Sequence, residues 1–276
     1  MNNTQLLIES LYENLLGRSA DKAGSDDKID RLDRGLSSIN QVINEILTSD
    51  EFCQKLPDFN SKFSKASSSM FTNNVSQFGE IELLINHWVR DIAQVPIVVD
   101  VGARGKERSN SWDLLKYFGF RGLLVEANAL LVPQIKKDFG GLDYKLISCA
   151  VSNYEGEAEF TIGVNDDVSS LEAKAAEAWG QTKGIMKVQV QKLPNLLKRE
   201  NIPHNFFLLS LDIEGEDIKV FNDLVGNSKY RPKFVIIEAS YDFATKSLDD
   251  IPLLDSVKKS YQLIGQTKAN LILKLI

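Results

Sequence analysis

The stretch IVVDVGARGKERS, residues 97–109, constrains this chain more than any other. A β-branched run, Ile97, Val98 and Val99, ends in an acid, Asp100, and turns at once through Gly102 and Gly105 toward a segment with helical spacing. Apolar runs of this kind are buried on both faces in parallel sheets, and glycines at the strand end let a ligand approach the backbone. The stretch predicts a strand of an open α/β sheet with a ligand crevice beyond its carboxyl end.

The residues that follow repeat the strand and helix periods. Strands are expected at 97–101, 122–126, 145–151, 158–164, 186–191, 206–213 and 234–239, with helices at 110–117, 130–139, 171–179 and 217–224 and a short one from Pro194. The end reads as a helix from Ser256 and two strands, 261–264 and 270–275, joined by a short turn. The prediction is a doubly wound, mostly parallel α/β sheet closing in a C-terminal antiparallel hairpin.

Before this lies a different pattern. Leu7, Leu11 and Leu15, widened by Ile8 and Tyr12, make an amphipathic helix that Gly17 ends. Asp21 and Gly24 mark a turn, a second helix runs through Ile29 and Leu32 to Gly35, and Ser37 or Ser38 caps a third carrying Val42, Ile43 and Ile46. The Ser-, Lys-, Asn- and Phe-rich segment after Pro57 has little periodicity and reads as a linker. From 78 to 94 an amphipathic helix with Ile81, Leu84, Ile85, Trp88, Val89 and Ile92 on one face leads to Pro96. The expected organisation is a small all-α module, 1–56, a linker, 57–77, and an α/β domain, 78–276.

A net charge of -6 offers no general attraction to nucleic acid. Cys53 and Cys149 lack the spacing of a disulfide framework or zinc site and read as free thiols in a reducing compartment. With no signal-like start and no apolar run of bilayer length, a cytoplasmic protein without a membrane span is expected.

The glycine turn is selective about its ligand. In a G-x-G-x-x-G fingerprint begun at Gly102, the second and third glycines fall on Arg104 and Glu107, which argues against a dinucleotide. A phosphate-binding loop at Gly105-Lys106 lacks its earlier glycine and has Glu107 where a Ser or Thr belongs. Glu126, ending the next strand, stands where a carboxylate can accept from both ribose hydroxyls. S-adenosylmethionine suits such a site, having a ribose and a cationic end but no pyrophosphate.

A second constellation is LLSLDIEGEDIKVF, residues 208–221. Glu216 and Asp217 are explained as the cap and first-turn acids of a helix. Asp212 and Glu214 are not, because acids crowded at a strand end are costly unless a cation or a substrate hydroxyl shares the site.

Taken in order, VDVGARG, GFRGLLVEAN, Cys149-Ala150-Val151-Ser152, DDVSSL, KLPNLL, LSLDIEGED and FVIIEAS resemble the FkbM-family methyltransferases over residues 96–240. The resemblance implies a Rossmann-like class I fold and S-adenosylmethionine-dependent O-methylation of a sugar or other metabolite hydroxyl. On its motifs Asp100, Gly102 and Ala103, with Gly105 in the same turn, would approach the methionine part of the cofactor, Glu126 the ribose, and Ala150, Val151 and Ser152 the adenine. Asp212 and Glu214 would lie where methyl donor and acceptor meet. Many relatives carry a glycine where this chain has Lys106, a residue that can occupy or crowd the turn. At the other end, Leu11, Tyr12, Leu16, Gly17, Arg18, Asp21, Gly24, Ser49, Glu51 and Phe52 resemble a small bacterial helical module of unknown function. Arg18 and Asp21 read there as an ion pair holding a helix corner.

A sugar hydroxyl needs a base, and Asp212 or Glu214 is the candidate, with Glu238 at the end of the next strand as a neighbouring acid or a binder of substrate hydroxyls. Magnesium held by Asp212, Glu214 and Glu238 is an open alternative. His204, in a Pro-flanked loop, and Trp179, after the DDVSSL loop, are further site candidates, whereas His87 and Trp112 read as structural. The partner expected is a small-molecule or glycan acceptor. The rival reading is an inactive methyltransferase fold serving as a binding or scaffold protein docked through its N-terminal helices.

Overall fold

The computed structural model describes residues 3–52, 54–55, 75–88, 95–164, 168–178, 180–239 and 247–276. They fall into two compact units, one from Met1–Met70 with Asn86–Ile92, the other from Phe71–Ile85 with Ala93–Ile276.

The first unit is helical. Helix α1, Asn3–Leu11, runs on through a wider π turn, Tyr12–Leu16, and stops at Gly17, whose φ of +64 is the left-handed conformation a helix end favours. Of the expected stripe, Ile8, Tyr12 and Leu15 are buried, joined by Leu16, because the π turn rotates the face away from the regular period. Helix α2, Lys22–Asp33, begins earlier than the sequence suggests: Asp21 caps it by accepting from Gly24 N at 2.8 Å. Gly24 is thus inside the helix, where an added Cβ would sit 2.8 Å from the Tyr12 hydroxyl. Helix α3, Ile39–Leu47, starts in a reciprocal capping box of Ser38 and Gln41. Arg18 holds Glu51 through two bonds of 2.7 Å and Asp21 at 3.3 Å, and Lys55 Nζ reaches the Leu16 carbonyl. Arg18, Asp21, Glu51 and Lys55 therefore form one corner clasp.

Helix α4, Glu80–Trp88, belongs to the second unit as far as Ile85, and that unit continues with strand β1, Ile97–Val101, helix α5, Trp112–Phe118, and β2, Arg121–Glu126. Next come α6, Val132–Asp138, and strands β3, Tyr144–Ser148, β4, Ala150–Ser152, and β5, Gly156–Ile162. Helix α7, Ala173–Glu177, strand β6, Gly184–Lys192, and helix α8, Leu193–Arg199, lead to β7, Leu208–Leu211, α9, Asp217–Asn227, and β8, Phe234–Glu238. Helix α10, Asp255–Ser260, and strands β9, Tyr261–Gln266, and β10, Asn270–Leu275, complete it. Seven strands form one sheet in the order β3-β2-β1-β7-β8-β10-β9, parallel except where β10 runs against β8 and β9.

Alternation along the strands assigns two faces. Val99, Val101, Leu123, Val125, Leu209, Leu211, Val235 and Ile237 join one core with α8, α9 and α10. The opposite face holds Val98, Leu124 and Leu208, and helix α5 comes so near that a Cβ on Gly122 would be 2.9 Å from Leu115 Cδ2. Asp100, Glu126, Ser210, Asp212 and Glu238 extend this second face at the carboxyl ends, since Asp100 pairs with Ser210 and Ser210 with Ile236.

The expected strand at 145–151 is two strands. The chain leaves the large sheet at Cys149, and β4 joins a separate three-strand sheet, β4-β6-β5, through Ala150 and Val190. Ala150, Phe160, Val188 and Val190 give this sheet its own small core. The described end of the expected linker belongs to the second unit: Ser76 bridges to Arg108, and Val75 N donates to Asp113. Buried Glu80 ties α4 to the start of β10, accepting from Thr267 Oγ1 at 2.8 Å and Asn270 Nδ2 at 2.9 Å. Val89, Ile92, Cys53 and Trp179 lie outside the described residues. Among the described residues, no helix is long and apolar enough to cross a membrane.

Candidate active site

The turn after β1 is held from three sides. Gly102 N and Ala103 N both donate to the Val125 carbonyl, at 2.9 and 3.0 Å, fastening the turn to β2. Gly102 has φ +91, and a Cβ there would lie 1.8 Å from the Asp212 carbonyl oxygen. This glycine is dictated by the neighbouring strand, not by a ligand alone. Lys106, the departure from the family pattern, does not crowd the turn: its N–H donates to Asp138 at 3.0 Å and its Nζ lies 4.2 Å from the centre of the Trp112 ring.

Asp100 is buried beneath this turn, accepting from Ser111 Oγ at 2.5 Å and from Ser210. Burial raises its pKa against those hydrogen bonds. Glu126 ends β2 and accepts from Asn128 N at 2.6 Å. Burial, with the nearby charge of Asp100, pushes it up to about 7.

Beyond β7 the four acids of the DIEGED run divide. Asp217 accepts from Ile213 N at 3.0 Å and Gly215 N at 3.2 Å, clamping the loop against the start of α9. Glu216 accepts from Ser152 Oγ and pairs with Lys219. Both thus do more than complement a helix dipole. Ahead of them the loop carries Glu214 at φ +54, a left-handed conformation that a non-glycine residue adopts at a cost, with its carbonyl receiving Ser170 Oγ at 2.7 Å. Asp212, Glu214 and Glu238 come together, each with a carboxylate oxygen within 4.8 Å of the others. Burial and mutual repulsion raise the pKa of Asp212 well above its ordinary value and push Glu238 up to about 10. Three hard oxygen donors so placed are also a possible cation set.

These groups share a cavity of about 240 Å³. Asp100, Gly102, Gly105, Glu126, Ala150, Val151, Asp212, Glu214 and Glu238 line it. Ala103 and Ser152 stand behind the wall, the first bonded to Val125 and the second to Glu216. The sequence reading missed Gln77, Asn110, Ser210 and the Phe160, Val168 and Leu171 side of the cavity. One signal was available: Ser210 interrupts an otherwise apolar buried strand, LLSL. Of the others, Gln77 and Asn110 lie outside the strands, Phe160 comes from β5 of the second sheet, and Val168 and Leu171 come from the segment after it, whose position over the strand ends no periodicity encodes. His204 packs on the Tyr230 ring at 4.8 Å, away from the cavity. Trp112 donates from Nε1 to the Asp138 carbonyl, and Cys149 is a buried free thiol whose pKa burial pushes up to about 11.

Comparison with protein families matches residues 100–259 to the methyltransferase FkbM domain. Residues 3–56 match a domain of unknown function, DUF4214. No curated protein matches the chain.

Proposed function

The chain belongs to the FkbM methyltransferase family, and on that premise we propose that it is an S-adenosylmethionine-dependent O-methyltransferase acting on a hydroxyl of a sugar, glycan or secondary metabolite. The observation that carries the reading is the grouping of Asp212, Glu214 and Glu238 in the same cavity as Asp100 and Glu126. One end of that cavity offers a carboxylate acceptor for ribose hydroxyls, and the other an acid cluster for a hydroxyl nucleophile.

S-adenosylmethionine, when bound, supplies an electrophilic methyl group on a sulfonium. Glu126 would take the ribose hydroxyls, Asp100 and the Gly102–Gly105 turn the amino-acid end, and Ala150 and Val151 the adenine. Glu238, pushed up to about 10, holds its proton at neutral pH. Asp212 or Glu214 would then receive the proton of the acceptor hydroxyl, Asp212 only when the cation of the bound donor offsets the burial that raises its pKa. Fixing that hydroxyl in line with the methyl group supplies much of the rate gain in such a displacement. The helical module, residues 1–56, and the methyltransferase domain are read as separate domains, with the N-terminal helices as a docking element.

The test is calorimetric binding of S-adenosylmethionine, then transfer of an isotopically labelled methyl group to a panel of sugars and glycans. Micromolar binding, abolished in Asp100→Ala and Glu126→Ala, is expected; absence of binding refutes the reading. Glu214→Gln should lower kcat by roughly 10²–10⁴-fold and leave donor affinity nearly unchanged, as removal of a general base does. Donor binding without transfer to any acceptor would favour the scaffold reading, although Lys106 packed on Trp112 removes the reason to expect it.

The three clustered carboxylates support a second arrangement, a magnesium ion held by Asp212, Glu214 and Glu238 and sharing the acceptor's hydroxyls. Loss of transfer in a chelator, restored by magnesium, separates it from the metal-free mechanism.

A further inference from the structure

The hydroxyl of Ser210 has one proton to donate, and its destination decides the orientation of a third group. Ser210 lies in β7 opposite Asp100 and is 1% exposed. Asp100 takes hydrogen bonds from Ser111 and Ser210. With its proton committed to that carboxylate, Ser210 can offer Asn110 only a lone pair, and Asn110 meets it with Nδ2 at 3.2 Å.

The amide is thereby oriented, and its Oδ1 is left over. Asn110 is 7% exposed, and among the described residues its buried Oδ1 has no donor. Among the described residues, the other buried polar atoms without a hydrogen bond are Arg31 Nε, which faces Asp27 in an ion pair, Asn128 Nδ2 and Asn270 Oδ1, and none of these residues lines the cavity; Asn110 does. A buried acceptor left empty is costly, so a ligand must bring the donor. The neighbouring groups on this face, Asp100 and Asp212, are carboxyl groups whose ionised forms burial disfavours until a cation sits beside them. A donor that is also cationic fits best. Arg104 and Arg108, in the same cavity wall, suit the carboxylate that accompanies the ammonium of an amino acid.

We propose that Asn110 Oδ1 is the hydrogen-bond acceptor for a primary ammonium group, the amino group at the amino-acid end of the methyl donor. This rests on reading the cavity as an S-adenosylmethionine site. Asn110 then works with Ser210 and Asp100 as one relay that holds an oxygen ready for that ammonium.

The experiment compares S-adenosylhomocysteine with its deaminated analogue, in which hydrogen replaces the amino group, by calorimetry on the intact chain. The wild-type protein should bind the analogue roughly 10- to 100-fold more weakly, the range for a hydrogen bond with a charged partner. Asn110→Leu should bring S-adenosylhomocysteine down to the analogue's affinity while the analogue's own binding stays nearly constant. Asn110→Ser, which withdraws the oxygen with less change in the wall, should do the same and serves if the leucine variant does not fold. Equal affinities in the wild type, or an undiminished preference in the folded variants, overturn the assignment and leave the methyltransferase reading standing. Failure of the wild type to bind either ligand overturns both.

Discussion

Gly102→Ala tests whether the turn that first drew attention is shaped by its ligand or by the protein. A Cβ at this position would stand 1.8 Å from the Asp212 carbonyl oxygen and 2.8 Å from its carbonyl carbon. Both are backbone atoms, so no side chain can swing aside. Relief requires β1 and β7 to part by more than an ångström against the ladder that pairs Val101 with Leu211. Overpacking of a tight interior costs about 1–3 kcal/mol, and an alanine at φ +91 adds about 1–2 kcal/mol. The sum, roughly 2–5 kcal/mol, corresponds to a fall in Tm of about 4–20 °C for a unit of this size. Gly141→Ala is the control: its φ is +80 and an added Cβ meets nothing within 4 Å, so only the dihedral cost applies. Thermal and urea unfolding of both variants without ligand should show Gly102→Ala the less stable by at least the packing share. If Gly102→Ala melts with the wild type yet loses donor binding, the glycine serves the ligand and the argument from close approach is wrong.

Glu126 sits near 7, and ribose hydroxyls donate to its ionised form. Donor affinity should therefore fall about tenfold per pH unit below 7 and level off above it, and Glu126→Gln should flatten that profile at the weak end, as titration calorimetry from pH 5.5 to 8.5 can show. Glu238 is raised from 4.5 to about 10, so its favourable contribution to folding is complete below 4.5 and is lost as pH rises toward 10. Glu238→Gln should accordingly reduce the decline in stability of the second unit between pH 5 and pH 9, measured by urea unfolding. The first unit should respond in the opposite sense, because hydrogen bonds from Arg18 hold Glu51 down at about 2. That contribution is present above 4.5 and lost as pH falls toward 2, and Arg18→Ala should abolish this acid sensitivity in circular dichroism of the helical signal.

The strand ends were the most legible part of the chain. Ile97–Val101 and Phe234–Glu238 read as buried strands because β-branched and aromatic runs leave few alternatives, and each carries an acid at or near its end. The grouping of Asp212, Glu214 and Glu238 followed from parallel strands delivering their ends to one edge. The break at Cys149 was not legible, because an apolar run reports burial and not which sheet buries it. Asp21 and Gly24 misled for a related reason: an acid before a glycine is a turn signal, yet here the acid caps a helix and the glycine makes room for Tyr12. Asn110 was hidden among small polar residues whose value lies in contacts with Ser210, a hundred positions away.

Strand β10 lies inside the large sheet, between β8 and β9, and Asn270 pairs with Glu238. A chain emerging from the ribosome presents its residues in order, so β8 is made while the strand that will flank it does not yet exist. Through that interval β8 keeps one row of backbone donors and acceptors uncovered, the kind of edge on which chaperones and stray strands act. The acid cluster is consequently among the last features to be seated during biosynthesis. A product truncated before residue 270 would carry every carboxylate of the site and lack the strand that fixes one of them in place.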